Sequence, residues 1–208
     1  MIKPQYCSLV LKFFHWYIPF LLRRDFHRVT IHGKSLNFPH AVLVISNHFS
    51  WWDAFILFYL NDKTFKKRYN VMMLEEQLRR HRLFRYGGTY SVKKKSKGII
   101  ESLDFTSGLL NDPENLVLLF PQGMIQSQHL TDLRFEKGLA YVMRHATSTY
   151  HLVFTTSLTD YFSNRKPSLH IFYEVFPAGK ECDPAVIEKG YNTFYTTCKL
   201  WLINQHKE

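Results

Sequence analysis

Ala41-Val42-Leu43-Val44-Ile45-Ser46-Asn47-His48-Phe49-Ser50-Trp51-Trp52-Asp53 is the stretch on which the reading of this chain turns. Ala41 to Ile45 is a continuous apolar run rich in β-branched residues, the pattern of a strand buried on both faces. Asp53 to Leu60 follows and is apolar on every side, the pattern of a buried helix. A strand feeding a helix through a short polar junction is the unit of an α/β fold. Such folds place their reactive groups at this junction, at the carboxyl end of the strand. Here the junction carries Asn47, His48, Ser50 and Asp53.

Working outward, Arg28 to Ile31 reads as a first strand ending at Gly33, with Tyr69 to Leu74 and Leu116 to Phe120 as further strands. Ser96 is placed to cap a helix with Ile99, Ile100, Leu103, Leu109 and Leu110 on its apolar face. Phe135 to Arg144 reads as another helix, and Tyr150 to Leu158 and Leu169 to Phe176 as two strands. Asp183 and Pro184 form a cap and first-turn pair for a last helix, with Ile187, Tyr191, Phe194, Cys198 and Leu202 along one side. The expectation is a single α/β domain, a mixed β-sheet covered by helices. Two units are expected: an N-terminal helix over 1–26 and the main domain over 27–208.

The 208 residues are 46% hydrophobic and 16% aromatic, which excludes a disordered chain. A net charge of +10 calls for an anionic partner: nucleic acid, a phosphorylated cofactor or a membrane face. Basic residues cluster at Arg79, Arg80, Arg82 and Arg85 and again at Lys93, Lys94, Lys95 and Lys97, as anion contacts or as a solvated face. Cys7, Cys182 and Cys198 are widely spaced and read as reduced thiols in packing. The histidines show neither HxxxH nor HExxH spacing, so no metal site is expected.

The N-terminal apolar stretch, Leu9 to Leu22, is broken by Lys12 and His15 and closed by Arg23 and Arg24. A helical crossing of a bilayer core needs about 20 residues, and this stretch is shorter. Two arrangements suit it. One is an amphipathic helix lying in the membrane interface on Phe13, Phe14, Trp16, Tyr17 and Phe20; the other is a helix buried against the core.

Within the junction, a tight turn brings the Asp53 carboxylate to the Nδ1 of His48. That contact fixes the imidazole tautomer and leaves Nε2 outward as a general base. The alternative is a loop histidine beside an acid that only caps the following helix. Ser50 is a competing nucleophile, but it lacks the GxSxG elbow.

The His48-x-x-x-x-Asp53 spacing, preceded by Asn47, resembles the first signature of the glycerolipid (lysophosphatidic-acid type) acyltransferases. Three further segments resemble family blocks in order: Gly87-Gly88-Thr89-Tyr90-Ser91-Val92-Lys93, Phe120-Pro121-Gln122-Gly123 and Phe135-Glu136-Lys137-Gly138. Val153 to Leu158 sits where a fourth, strand-like block belongs. The resemblance spans about residues 28 to 176 and implies a glycerol-3-phosphate acyltransferase-like fold.

It also implies transfer without an acyl-enzyme. His48, oriented by Asp53, would deprotonate an acceptor hydroxyl that attacks the thioester of acyl-CoA or acyl-carrier protein, with no bound cofactor. Asn47, Gly87, Gly88, Tyr90, Lys93, Phe120, Pro121, Gln122 and Gly123 are the substrate-site residues it implies. The partners implied are an anionic membrane surface, the acyl donor and a lipid acceptor, at the cytoplasmic side of a membrane as a peripheral or monotopic protein.

Three departures stand out. Gln122 occupies the glutamate position of the third block, where Met124-Ile125-Gln126 also lacks the expected arginine, and Lys93 replaces the second-block arginine. Arginine grips phosphate bidentately whereas lysine offers a point charge, so the acceptor is expected not to be lysophosphatidic acid. A lipid-binding relative that has lost catalysis is the alternative. A nucleic-acid-binding domain fits less well, because the aromatics fall in apolar runs rather than among the charges.

Overall fold

The computed structural model describes residues 1–34, 36–93, 98–177 and 183–205. Ser96, Lys94, Lys95, Lys97 and Cys182, each given a role above, lie outside the described residues.

A seven-stranded sheet forms the centre, in the order β1-β7-β6-β2-β5-β3-β4. The strands are β1 (Arg28–His32), β2 (Ala41–Ser46), β3 (Arg68–Leu74), β4 (Thr89–Val92), β5 (Asn115–Leu119), β6 (Tyr150–Asp160) and β7 (Ser168–Phe176). β6 and β7 pair antiparallel, and the other pairings among the described residues are parallel. The expected mixed sheet is therefore present. β2 is buried along its whole length between β6 and β5, as its unbroken apolar run requires.

Helices cover both faces: α1 (Ser8–Asp25), α2 (Asp53–Leu60), α3 (Glu75–Arg80), α4 (Gly98–Leu109), α5 (Gly138–His145) and α6 (Pro184–Ile203). Alternation along β2 divides the core. Leu43 and Ile45 point into one cluster with Leu103, Val142, Tyr191 and Tyr195 from α4, α5 and α6. Val42 and Val44 point into the other with Phe14, Ile18, Ile56 and Phe58 from α1 and α2. The Asp183 carboxylate accepts from the Ala185 N–H at 2.9 Å, so the expected cap on α6 is in place.

Both readings of the N-terminal stretch find part of their geometry in α1. Phe14, Ile18, Leu21 and Leu22 pack on the domain, so the helix is a piece of the second core. On its outer side Leu9, Phe13, Trp16 and Phe20 are 74%, 41%, 65% and 50% exposed. Among the described residues no helix is long and apolar enough to cross a membrane.

The helix expected from Phe135 begins only at Gly138. The Phe135 N–H donates to the Glu188 carboxylate and the Glu136 N–H to the Pro121 carbonyl, so these residues tie loops together instead of coiling. β4 lies in the Gly87 to Lys93 block and α3 runs into the basic cluster at Arg79 and Arg80; neither was expected as an element, and each is very short.

Candidate active site

The parallel strands β2, β3, β4, β5 and β6 end on a common edge of the sheet, and His48 leaves that edge just after β2. The turn begins with Asn47, which is buried. The last rung of the β2–β6 ladder is Ser46 against Thr155. Beyond it the Asn47 side chain takes over: its amide donates to the Ser157 carbonyl at 3.0 Å and accepts from the Ser157 N–H at 2.9 Å. A side-chain amide thus imitates one more backbone rung and frees the main chain to turn away from the sheet. Asn47 shapes the loop from beneath and does not line the groove described below.

His48 Nδ1 and Asp53 Oδ2 are 2.7 Å apart. The same oxygen accepts from the N–H groups of Phe49 and Ser50 at 2.8 and 2.9 Å. Asp53 is the first residue of α2 and is fully buried, with the helix N-terminus behind its carboxylate. Burial raises the Asp53 carboxyl above the ordinary carboxylate range, against the opposing pull of His48 and the two backbone donors. With Asp53 Oδ2 as acceptor, His48 Nδ1 is the donor, and in the neutral imidazole Nε2 is then the nitrogen with a free lone pair.

The main chain of His48 is held as firmly as its ring. Its N–H donates to Gln122 Oε1 at 2.7 Å, and its carbonyl accepts from the Gln126 N–H at 2.8 Å. Gln122 Nε2 completes the clamp by donating to Gln126 Oε1 at 2.6 Å. Phe120 stacks on the imidazole with centroids 4.2 Å apart and planes 17° from parallel. Behind it a tight turn closes with Gly123 N–H on the Phe120 carbonyl; Gly123 has φ +67, the left-handed region that favours glycine. Ser50 Oγ accepts from the Trp52 N–H at 3.1 Å, so it serves as a turn residue beside the imidazole.

From His48 a groove of about 660 Å³ runs between the sheet and the α1–α2 layer. Its walls are apolar, with Phe14, Phe55, Phe58, Val71, Leu118 and Phe84 among them. Trp51, 57% exposed, and Met124 and Ile125, 56% and 53% exposed, also line it. Arg80 and His81 line its exposed side, where the Arg80 guanidinium supplies a positive charge.

The remaining expected site residues, Gly87 apart, fall outside the groove lining. Tyr90 is fully buried under α4, with its hydroxyl 2.9 Å from Thr106 Oγ1 and its ring against Phe105. Gly88 has φ +101, and a Cβ there would lie 1.9 Å from the Tyr69 carbonyl oxygen, so it allows two strands to approach. Gly87 lines the groove at the amino end of β4, away from the edge that carries His48. Lys93 lies 3.5 Å from the Glu75 carboxylate, which also takes Arg79 at 2.8 Å. Pro121 is buried and uses its carbonyl to hold Glu136. Gln126 was missed as a site residue because it acts through a backbone N–H to the His48 carbonyl and a side-chain oxygen that accepts from Gln122, contacts that no spacing in the sequence reports.

A model of the acyltransferase family matches residues 28–159, more than half of the chain. The chain belongs to the acyltransferase family. The matched segment runs from β1 to the end of β6 and contains the whole of the His48 loop, its glutamine clamp and the groove's strands. Among curated proteins, none matches the chain. The acyltransferase thus carries its family's α/β domain, and its chemistry is acyl transfer to a lipid-type acceptor.

Proposed function

We propose that His48 is the general base for transfer of a fatty acyl group from acyl-CoA or acyl-carrier protein to a hydroxyl of a lipid acceptor. The observation that carries this reading is an imidazole fixed at Nδ1 by a buried carboxylate, opening at the head of an apolar groove. In the reaction, Nε2 takes the hydroxyl proton as the acceptor oxygen bonds to the thioester carbonyl carbon. The carbon–sulfur bond then breaks, and the departing thiolate takes the proton from the imidazolium. The products are an ester and a free thiol, with charge and protons balanced. Asp53 acts as a positioning residue that also stabilises the transient imidazolium.

The acceptor is a hydroxyl lipid without a phosphate at the reacting end. Gln122 turns toward the His48 main chain, Lys93 lies beside Glu75, and the residues after the third block are the exposed apolar pair Met124 and Ile125. Gln122 was the chief support for a lipid-binding relative that has lost catalysis. Its bond to the main chain of His48 gives Gln122 a role within the loop that the catalytic reading also uses, and so supports that reading. Arg80 and His81 suit the phosphates of the donor. The outward stripe of Leu9, Phe13, Trp16 and Phe20, ending at Arg23 and Arg24, supports docking on an anionic membrane surface, and a peripheral or monotopic position on the cytoplasmic side is part of the same proposal.

The test is free-thiol release from long-chain acyl-CoA and acyl-carrier protein with a lipid extract as acceptor. Release that requires the extract and disappears in His48→Ala, with unchanged circular dichroism, is the expected result. Equal release by the folded variant would remove His48 as the base.

A further inference from the structure

The His48 turn and the loop that clamps it are both held from the far side of the sheet, by α6. The family match ends at residue 159, so α6 lies wholly outside it. Residues 120–137, which carry Gln122 and Gln126, belong to neither helix nor strand. Backbone groups in such a segment need partners from elsewhere. Glu188, Asn192, Tyr195 and Lys199 supply several, and their spacing of four, three and four residues puts all of them on one face of α6.

Along that face the Glu188 carboxylate accepts from the Phe135 N–H at 2.8 Å. The Asn192 amide accepts from the Leu133 N–H at 2.8 Å and donates to the Leu133 carbonyl at 3.0 Å. The Lys199 ammonium donates to the Leu130 carbonyl at 2.8 Å, and the Tyr195 hydroxyl to the Gln128 carbonyl. Gln128 is the link to the site. It lies two residues after Gln126, whose N–H holds the His48 carbonyl. Its side chain accepts from the Thr159 N–H at 3.1 Å and donates to the Thr159 carbonyl at 3.3 Å. Asn47 binds Ser157 in the same way, so two side-chain amides continue the ladder along β6 where β2 has ended.

Tyr191, one turn before Tyr195, reaches the other half of the clamp. Its hydroxyl donates to the Thr155 carbonyl at 2.8 Å, and Thr155 is the partner of Ser46 in the last rung of β2. Burial pushes that hydroxyl well above the ordinary phenol range. The Asn47 N–H is among the groups that oppose the shift, so the ring lies beneath the residue that precedes His48. Both tyrosines are fully buried, and their rings stack 14° from parallel.

We infer that Tyr191 and Tyr195 are positioning residues for acyl transfer. The first holds the end of β2 from which His48 projects; the second, through Gln128, holds the loop that clamps the His48 main chain. This rests on the reading of His48 as the base. Neither tyrosine lines the groove, and both belong to the core cluster on the other face of the sheet. Their loss is therefore expected in kcat and not in KM. A phenyl ring fills the same space but leaves a carbonyl unpaired, and a shift of about 1 Å in a reacting group can cost 10²-fold.

Thiol release is measured for wild type, Tyr191→Phe, Tyr195→Phe and Thr197→Val, whose hydroxyl donates to the Thr193 carbonyl within α6. Lys199→Met removes a contact to the loop from a partly exposed position and leaves the core intact. Amide exchange at Asn47 and Gln126, with the ¹H resonance of the His48 Nδ1 proton, reads the clamp without turnover. The expected result is kcat lowered roughly ten- to hundredfold in each tyrosine variant, with KM within about twofold. Exchange should quicken at Asn47 in Tyr191→Phe and at Gln126 in Tyr195→Phe and Lys199→Met, with Thr197→Val like wild type. Wild-type kcat and exchange in the folded tyrosine variants, even with a lowered melting temperature, would overturn the inference. Quickened exchange at these sites when no protein, wild type included, releases thiol would refute the transferase reading and leave the positioning of the loop standing.

Discussion

Asp53→Asn separates the two things a carboxylate can do for a histidine: choose its tautomer and balance its charge. An asparagine in a comparable dyad that turns its NH2 group to the imidazole inverts the tautomer, at a cost of about 10⁴ in rate. The present site opposes that rotation. Asp53 Oδ2 accepts from His48 Nδ1 and also from the Phe49 and Ser50 N–H groups. An amide nitrogen in its place would face two backbone donors, so the variant places its oxygen there and His48 keeps its proton on Nδ1. What is lost is the charge.

A carboxylate and an imidazolium with centres about 4 Å apart attract by about 4 kcal/mol at an effective dielectric of 20. The His48 side chain is 24% exposed, and solvent screens part of this. About 3 kcal/mol remains, a fall in kcat of roughly two orders of magnitude. The assay is thiol release at saturating donor, alongside ¹⁵N chemical shifts of the imidazole to identify the protonated nitrogen. A loss of about 10⁴ with the proton on Nε2 would refute the argument that the two backbone donors orient the amide. A loss below tenfold would show that charge at this position is dispensable. The variant is expected to melt no lower than wild type at neutral pH, because it removes a buried carboxylate whose ionisation burial opposes.

The same burial sets a pH dependence. The Asp53 carboxyl is raised in the folded state, so the fold binds its proton more tightly than the unfolded chain does. Its contribution to stability therefore grows as pH falls through that raised value toward the ordinary carboxylate range, and melting curves of Asp53→Asn should lack this component. Activity moves the other way: protonation of Asp53 removes the negative charge that stabilises the imidazolium, so kcat/KM is expected to fall on the acid side, which a pH profile will record. Gln122→Glu keeps an acceptor for the His48 N–H once the Gln126 amide rotates to donate, and is expected to retain activity within about tenfold. Gln122→Ala leaves that N–H unpaired at a buried site and is expected to cost about 1–3 kcal/mol in thermal unfolding together with most of the turnover. Asn47→Ala strips both partners from the Ser157 backbone, for a loss of about 2–4 kcal/mol in denaturant titrations; a smaller loss would mean that β6 closes the gap itself.

What the sequence determined by itself is what depends on neighbours along the chain. The unbroken apolar run of β2 requires a strand covered on both faces, and the five-residue step from His48 to Asp53 lets one turn bring carboxylate to imidazole. Both follow from local sterics and hydropathy. The boundaries of β5, β6 and β7 were legible for the same reason, whereas four-residue β4 and six-residue α3 carry too few apolar positions to declare a period.

Only the tertiary structure decided which motif residues face the groove. Tyr90 and Lys93 share a block with Gly87, yet strand alternation and the pairing of β4 with β3 bury the tyrosine, carry the lysine to Glu75 and leave Gly87 in the wall. Gln122 could be read as an altered acceptor ligand until the fold brought it, 74 residues along the chain, to the backbone of His48. The two faces of α1 were likewise beyond the sequence, which shows an aromatic stretch but not the partner that takes Phe14 and leaves Trp16 outside. Contacts between distant segments are set by how helices settle on a sheet, and that is fixed by the whole core and not by any one motif.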